Sequence, residues 1–509
     1  MNATTTTTAT GTARLLPLLT WRYLSEYARR LVNLVLLAVV PVVFVTLSAG
    51  AIADFADALG GLTDLGTIEA ATAGWAASLL AGIAGFFHVT GSREADRRLA
   101  AVGAGTLRVV VARLTSALGL ALVAGAGALA ALALRTGIAD TPRVIGVTFL
   151  MALIYLGIGA TVGALVRSEI NGSLVVVFAW MFDVFFGPAM GGSAGIIRVF
   201  PLHFPTLVVT DVASGHAGPL GDLGISALWA AGALAVGTLA LVATTRPAPL
   251  TAPRLHGRPH RIAVALRYGF RDYRRNLVLW VLLVGLPVVF ITLSIAVTPD
   301  DPAPVELVEH GQRSLQILSM SDLHGAIMVP ITVGFLAGLA GLFVALGSAE
   351  GDRRLVLAGY RPLEVLAARL GVILFAALLT TGVALAVTGA SFTPQNWIVF
   401  AVANVLAAVT YGMIGVLVGP RLGLLGGLYV MLALPFIDIG IAQNAMFDAA
   451  PPAWAAFMPA HGAIRVLLDG AFTPTFDEYG ALALAVAWLA GVTSVAAAQF
   501  HHLASPHHS

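Results

Sequence analysis

The chain has 509 residues, of which 58% are hydrophobic and only 11% charged, with a formal net charge of +2. A soluble fold of this length needs far more surface charge, so the bilayer must be its main solvent. The absence of cysteine excludes disulfides, thiolate metal sites and cysteine nucleophiles. All 28 basic residues are arginine, which excludes a standard P-loop because that loop reaches the terminal phosphates with a lysine.

The first residues, "MNATTTTTATGT", lack a cleavable-signal pattern and read as a disordered lead-in. An aromatic and basic stretch follows at 21–31, "WRYLSEYARRL", and predicts a helix lying in the membrane interface. Apolar runs then predict spans at 31–51, 72–90, 109–134, 144–166, 172–190 and 223–244. The stretch at 246–262 is rich in proline and arginine and predicts a cytoplasmic linker. A second interfacial stretch, "RYGFRDYRRNL" at 267–277, precedes spans at 277–297, 325–346, 366–388, 397–418, 422–441 and 479–499. The expected fold is an all-α polytopic membrane protein. Twelve transmembrane helices form two parallel six-helix repeats, residues 1–245 and 263–509. With the N-terminus inside, only Arg135, Arg143, Arg198, Arg313 and Arg465 fall outside, so both termini are expected in the cytoplasm.

Internal duplication rests on several anchors in one order. "PVVFVTLS" at 41–48 returns as "PVVFITLS" at 287–294. Pro41 and Pro287 each remove a backbone donor from the first helix of a half. Thr46, Ser48, Thr292 and Ser294 can bond free carbonyls or a facing helix. Residues 91–114, "GSREADRRLAAVGAGTLRVVVARL", align without gaps to 347–370, "GSAEGDRRLVLAGYRPLEVLAARL". His88 has Val344 at the matching position, which suits a packed or locally bonded histidine. Asp183 and Asp438 fall in the fifth span of each half, where an ionisable group lines a path or gate or bonds a neighbouring helix. Both readings stand. The long apolar stretches 191–222 and 442–478 are expected to re-enter the membrane from outside. Pro201, His203 and Asp211, with Pro459, His461 and Asp469, form the expected outer cap. Two histidines without further ligands do not make a metal site. "GGSAG" at 191–195 matches a nucleophile elbow in letters but lacks its strand–turn–helix context.

Two parallel six-helix units with interfacial helices, charged first cytoplasmic loops and re-entrant outer segments resemble the permease class of type-2 ATP-binding-cassette exporters. The likeness is to the fused, double-length form of bacterial drug and antibiotic exporters. It implies two copies of a separate ATP-binding subunit, which hold ATP and magnesium, while this chain binds no cofactor and catalyses no hydrolysis. It also implies that Glu94, Asp96, Arg97 and Arg98, with Glu350, Asp352, Arg353 and Arg354, lie on coupling helices that dock those subunits. Other expected partners are the lipid bilayer of the cytoplasmic membrane and a small amphiphilic substrate; nucleic acid is not one. A proton-coupled major facilitator transporter is the alternative. Its loop motif fits poorly, because four residues separate Gly91 from Asp96 and no glycine follows the Asp-Arg pair.

Overall fold

A computed structural model describes residues 9–29, 31–58, 65–190, 198–210, 221–245, 281–357, 362–446 and 448–504. The linker at 246–262, the second interfacial stretch at 267–277 and Asp211 lie outside the described residues. The chain divides into two compact units, Met1–Arg254 and Leu255–Ser509.

In the first unit, α1 spans Ala9–Arg29, so the end of the expected lead-in is already helical. Leu19, Tyr23 and Tyr27 recur at four-residue spacing and are buried, whereas Leu18, Trp21, Arg22 and Glu26 are exposed. That is the one-sided stripe of a helix packed along one face. Leu19 and Tyr23 pack on Ala112 of α5. The remaining helices are α2 (Leu31–Ala58), α3 (Leu65–Thr90), α4 (Arg93–Leu99), α5 (Thr106–Arg135), α6 (Thr141–Leu165), α7 (Glu169–Phe185), α8 (His203–Thr210) and α9 (Gly221–Thr245). A π turn, Ala100–Ala104, links α4 to α5. Buried along most of its length, α3 forms the centre of the unit and packs on α2, α5, α6 and α7.

The described part of the second unit starts with a π turn at Val281–Gly285 that runs into α10 (Leu286–Val297). Pro287 lies two residues past the end of this turn, and its missing N–H accounts for the widened backbone before it. Next come β1 (Pro302–Glu309) and β2 (Gln312–Ser319), an antiparallel hairpin closed at His310 and Gly311. Both turn residues have positive φ, 52° and 74°, as a tight two-residue hairpin requires. The all-α expectation is therefore corrected: the chain is mostly helical and carries one two-stranded hairpin. Five helices and a short 3-10 turn, Ala453–Phe457, complete the described part of the unit: α11 (Met320–Leu357), α12 (Pro362–Thr388), α13 (Trp397–Pro435), α14 (His461–Phe472) and α15 (Tyr479–Ala504).

The spans expected at 397–418 and 422–441 fall in α13 and the π turn Phe436–Ala442, which together form a kinked element of two helical arms. Gly423 breaks it with φ 68°, a conformation open to glycine. Tyr411 nevertheless bonds Asp438, 27 residues later, a stretch that would cover about 40 Å of straight helix. The element is thus folded back on itself at Gly423.

Eight segments of the described residues are long and apolar enough to cross a membrane, and Val35–Gly50 and Leu282–Ala296 are shorter apolar helices. The closest helix approaches rest on glycine. A Cβ at Gly159 of α6 would overlap the carbonyl oxygen of Gly82 on α3, and one at Gly415 of α13 would overlap that of Gly338 on α11. Small residues allow membrane helices to approach this closely. Gly159→Ala or Gly415→Ala should cost about 1–3 kcal/mol through overpacking. Thermal unfolding in detergent should show the loss, with Gly232→Ala and Gly491→Ala as near-neutral controls because their surroundings are open.

Candidate functional site

Asp183 and Asp438 occupy matching polar joints. Asp183 lies two residues before the end of α7 and is buried. The Tyr155 hydroxyl of α6 donates to its Oδ2 at 2.9 Å. The backbone N–H of Leu202, just before α8, donates to both carboxylate oxygens at 2.9 and 3.0 Å. In the second unit Tyr411 donates to Asp438 at 2.5 Å and the N–H of Ala460, just before α14, donates at 2.8 Å. Leu202 and Ala460 are the central residues of "PLH" and "PAH". Each carboxylate therefore ties a short helix to the long ones. Their oxygens are engaged by donors within the protein.

A second polar centre lies beneath α4. Asp96 points inward, buried at 4% exposure, whereas Glu94 and Arg98 form an exposed i,i+4 pair. Arg113 of α5 grips Asp96 with two bonds, Nε to Oδ2 at 3.0 Å and Nη2 to Oδ1 at 2.5 Å. The Tyr23 hydroxyl donates to Oδ1 at 3.1 Å, and the Arg113 guanidinium lies 3.6 Å from the Tyr23 ring centroid. Burial, followed by the Asp96 charge, pushes the Tyr23 phenol up to about 12, so it stays a donor. Burial also raises the phenol of Tyr27. On the other side of Arg113, His88 Nε2 lies 2.6 Å from the Ser116 hydroxyl. Two further arginines clamp helix ends. Arg93 donates to the carbonyls of Gly163 (2.7 Å) and Val166 (2.7 Å), and Arg97 donates to that of Thr244 at 2.6 Å. Cations suit these carbonyl-rich C-termini. Burial, then the charges of Arg97 and Arg167, lowers the Arg93 pKa.

The matching loop residues Glu350, Asp352, Arg353 and Arg354 lie on α11, which continues unbroken where α3 stops at Thr90. Their side chains lie outside the described residues. Thr46 and Thr292 are exposed, and the Thr46 carbonyl accepts from Arg135 at 2.8 Å. Ser48 is buried; Ser294 lies 2.8 Å from His324 Nε2 on α11, and His324 also bonds Thr298.

The expected outer-cap residues are spread over several joints. Pro201 and buried His203 flank the start of α8, where His203 meets Phe204 edge-on. Pro459 precedes α14, and His461 Nδ1 lies 2.9 Å from Gln443 Oε1. Asp469 accepts the N–H groups of Asp477 (2.8 Å) and Glu478 (3.2 Å) and caps the turn into α15. Arg465 connects this region to the hairpin, with Glu478 at 3.0 Å and Glu306 at 3.5 Å. Among the described residues no group of acidic residues or histidines could hold a metal ion.

Tyr155, Tyr411, Arg113 and the ion pairs of Arg465 were not anticipated from sequence. Tyrosine recurring 256 positions apart in apolar helices, and arginine at 113 and 369, are the signals that point to the first three.

These helices and their internally satisfied polar groups define a multi-pass membrane protein. No family model matches the chain, and no curated protein is found as a relative.

Asp183→Ala should leave the Leu202 N–H without its acceptor, at a cost of about 1–3 kcal/mol. Amide exchange across His203–Thr210 should then accelerate, while Asp183→Asn, which keeps an acceptor oxygen, should lose less. A second expectation concerns acid. Burial, then the charges of Arg465 and Arg313, lowers the His461 pKa, so the folded protein holds this imidazole neutral. The unfolded chain takes up the proton below about pH 6.5, so stability present above that pH declines as pH falls toward the folded value. From about pH 7 to about pH 5.5, Tm should drop less in His461→Gln than in the parent protein.

Proposed function

We propose that this chain is the permease of an ATP-binding-cassette exporter of the cytoplasmic membrane. It carries twelve passes in two parallel six-helix groups and has both termini in the cytoplasm. It moves a hydrophobic or amphiphilic molecule outward while two separate subunits bind ATP and magnesium and perform hydrolysis. The observation that carries this reading is α4. It presents the exposed Glu94–Arg98 pair, while Asp96, Arg93 and Arg97 fasten it to α1, α5, α6 and α9. A short helix built this way can receive a push from a docked protein and pass it to several membrane helices at once. Asp183 and Asp438 then serve as struts of the moving helices, and the substrate is held by apolar surface.

The test is purification of the chain with its ATP-binding subunits and reconstitution into vesicles. ATP-dependent uptake into inside-out vesicles supports the proposal; transport by this chain alone, driven by a proton gradient, overturns it. The double substitution Glu94→Arg and Arg98→Glu keeps an ion pair on the helix but reverses the charges offered to a partner. It should reduce ATP-dependent transport by about ten-fold without loss of folded protein, and unchanged transport would remove α4 as the docking helix.

A further inference from the structure

Between α13 and α15 of the second unit lies an open apolar groove of about 450 Å³. It is lined by Leu417 of α13 and by Leu484, Ala487, Trp488, Gly491 and Val495 of α15. Leu484, Ala487, Gly491 and Val495 recur at three- and four-residue steps, so they share one face of the helix. A Cβ at Gly491 would meet nothing within 4 Å, and Ala487, Gly491 and Val495 are exposed. From Leu484 to Val495 the helix rises about 16 Å, close to half of a hydrocarbon core of about 30 Å. The groove is therefore as deep as one leaflet. Its end is polar. Arg421 stands one turn beyond Leu417, and Gln499 stands one turn beyond Val495, where the apolar segment Tyr479–Gln499 stops. Arg421 is exposed; its Nη1 donates to the Leu417 carbonyl at 3.1 Å and to Gln499 Oε1. Both acceptors are neutral, so these bonds orient the guanidinium without cancelling its charge.

We propose that this groove seats one acyl chain of an anionic phospholipid and that Arg421 holds the lipid's phosphate. Lipid tails are as apolar as leucine, so within a bilayer an apolar groove gains nothing by hydrophobicity alone. Selection has to come from shape and charge. A trough surrounds a chain on more sides than a flat helix face does, and each added contact contributes dispersion energy. A guanidinium carries five N–H donors in a fork that fits phosphate oxygens, and Arg421 uses Nη1 for both of its bonds to the protein. Its charge favours a lipid with net negative charge over a zwitterionic one. Arg421 also lies two residues before the Gly423 break and reaches α15 through Gln499, so a lipid seated here rests on both helices where α13 turns back. The inference needs only a multi-pass chain in a lipid bilayer and does not depend on the exporter reading.

Trp488 lines the groove and can report its occupant, because bromine on an acyl chain quenches the fluorescence of an indole it touches. The full chain is placed in phosphatidylcholine nanodiscs containing a graded fraction of brominated phosphatidylglycerol or brominated phosphatidylcholine. The chain has eight tryptophans, so each protein is measured against its own Trp488→Phe partner and the difference is taken. Brominated phosphatidylglycerol should quench Trp488 at about one-fifth of the mole fraction that brominated phosphatidylcholine requires, the advantage expected from one arginine. Arg421→Gln should abolish this preference, whereas Arg421→Lys, which keeps the charge, should retain most of it. Gly491→Leu, which fills the trough at an open position, should also abolish it and decides the matter if Arg421→Gln does not fold. Equal quenching by the two lipids in the parent protein means ordinary boundary contact and overturns the proposal. So does a preference that survives Arg421→Gln or Gly491→Leu. Protection of Trp488 from both lipids in a chain that runs as a dimer would assign the groove to a second copy, and would overturn it as well.

Discussion

A carboxylate buried among apolar helices must find its hydrogen-bond donors inside the protein, because hydrocarbon supplies none. This constraint organises both units. Asp183 and Asp438 each recruit a tyrosine from the preceding long helix and a backbone N–H from the segment about to turn. The cost of burying the acid thereby becomes a specification of where a short helix must begin. A leucine at either position would pack in the same space but would leave the Leu202 or Ala460 N–H without an acceptor. The acid fixes register where apolar packing alone would allow sliding.

The same logic operates beneath α4 with charge on both sides. Arg113 is shared between the Asp96 carboxylate and the face of Tyr23, and His88 and Ser116 close the remaining side. Backbone carbonyls at the ends of α6 and α9 accept from Arg93 and Arg97. Four membrane helices thus converge on one seven-residue helix. Glycine makes the complementary contribution in the apolar regions, where Gly159 and Gly415 allow backbones to touch without polar bonds.

Apolar run length located the eight segments long enough to cross a membrane among the described residues, since a run of about 20 apolar residues has few alternatives in a bilayer. It also placed Asp183 and Asp438 inside helices and drew attention to "PLH" and "PAH" without revealing that these touch. The contact is made by the N–H of the middle residue, which carries no side-chain signature, so Leu202 and Ala460 were invisible as donors. The hairpin was missed for a different reason. Within 302–319 the alternation in "PVELVE" and "SLQILS" around His-Gly is a strand signal. It was overlooked because the flanking runs made the whole stretch read as a loop between spans. The inward turn of Asp96 was likewise hidden: four charges in "READRR" read as one exposed cluster, and only the position of Arg113 one helix later separates the buried acid from the exposed pair.

The Asp–Tyr–backbone joint recurs in both units. It serves each unit's own folding, so both copies need it regardless of what either does. Around the second Asp–Arg pair in the sequence the residues change: Val344 and Val372, buried with Ile373, stand where His88 and Ser116 bond in the first unit. A buried ionic joint is seldom more stabilising than a well-packed apolar one of similar volume. Among the described residues the hairpin occurs in the second unit, where Glu306 of β1 and Arg465 of α14 pair and bind it to the helical body.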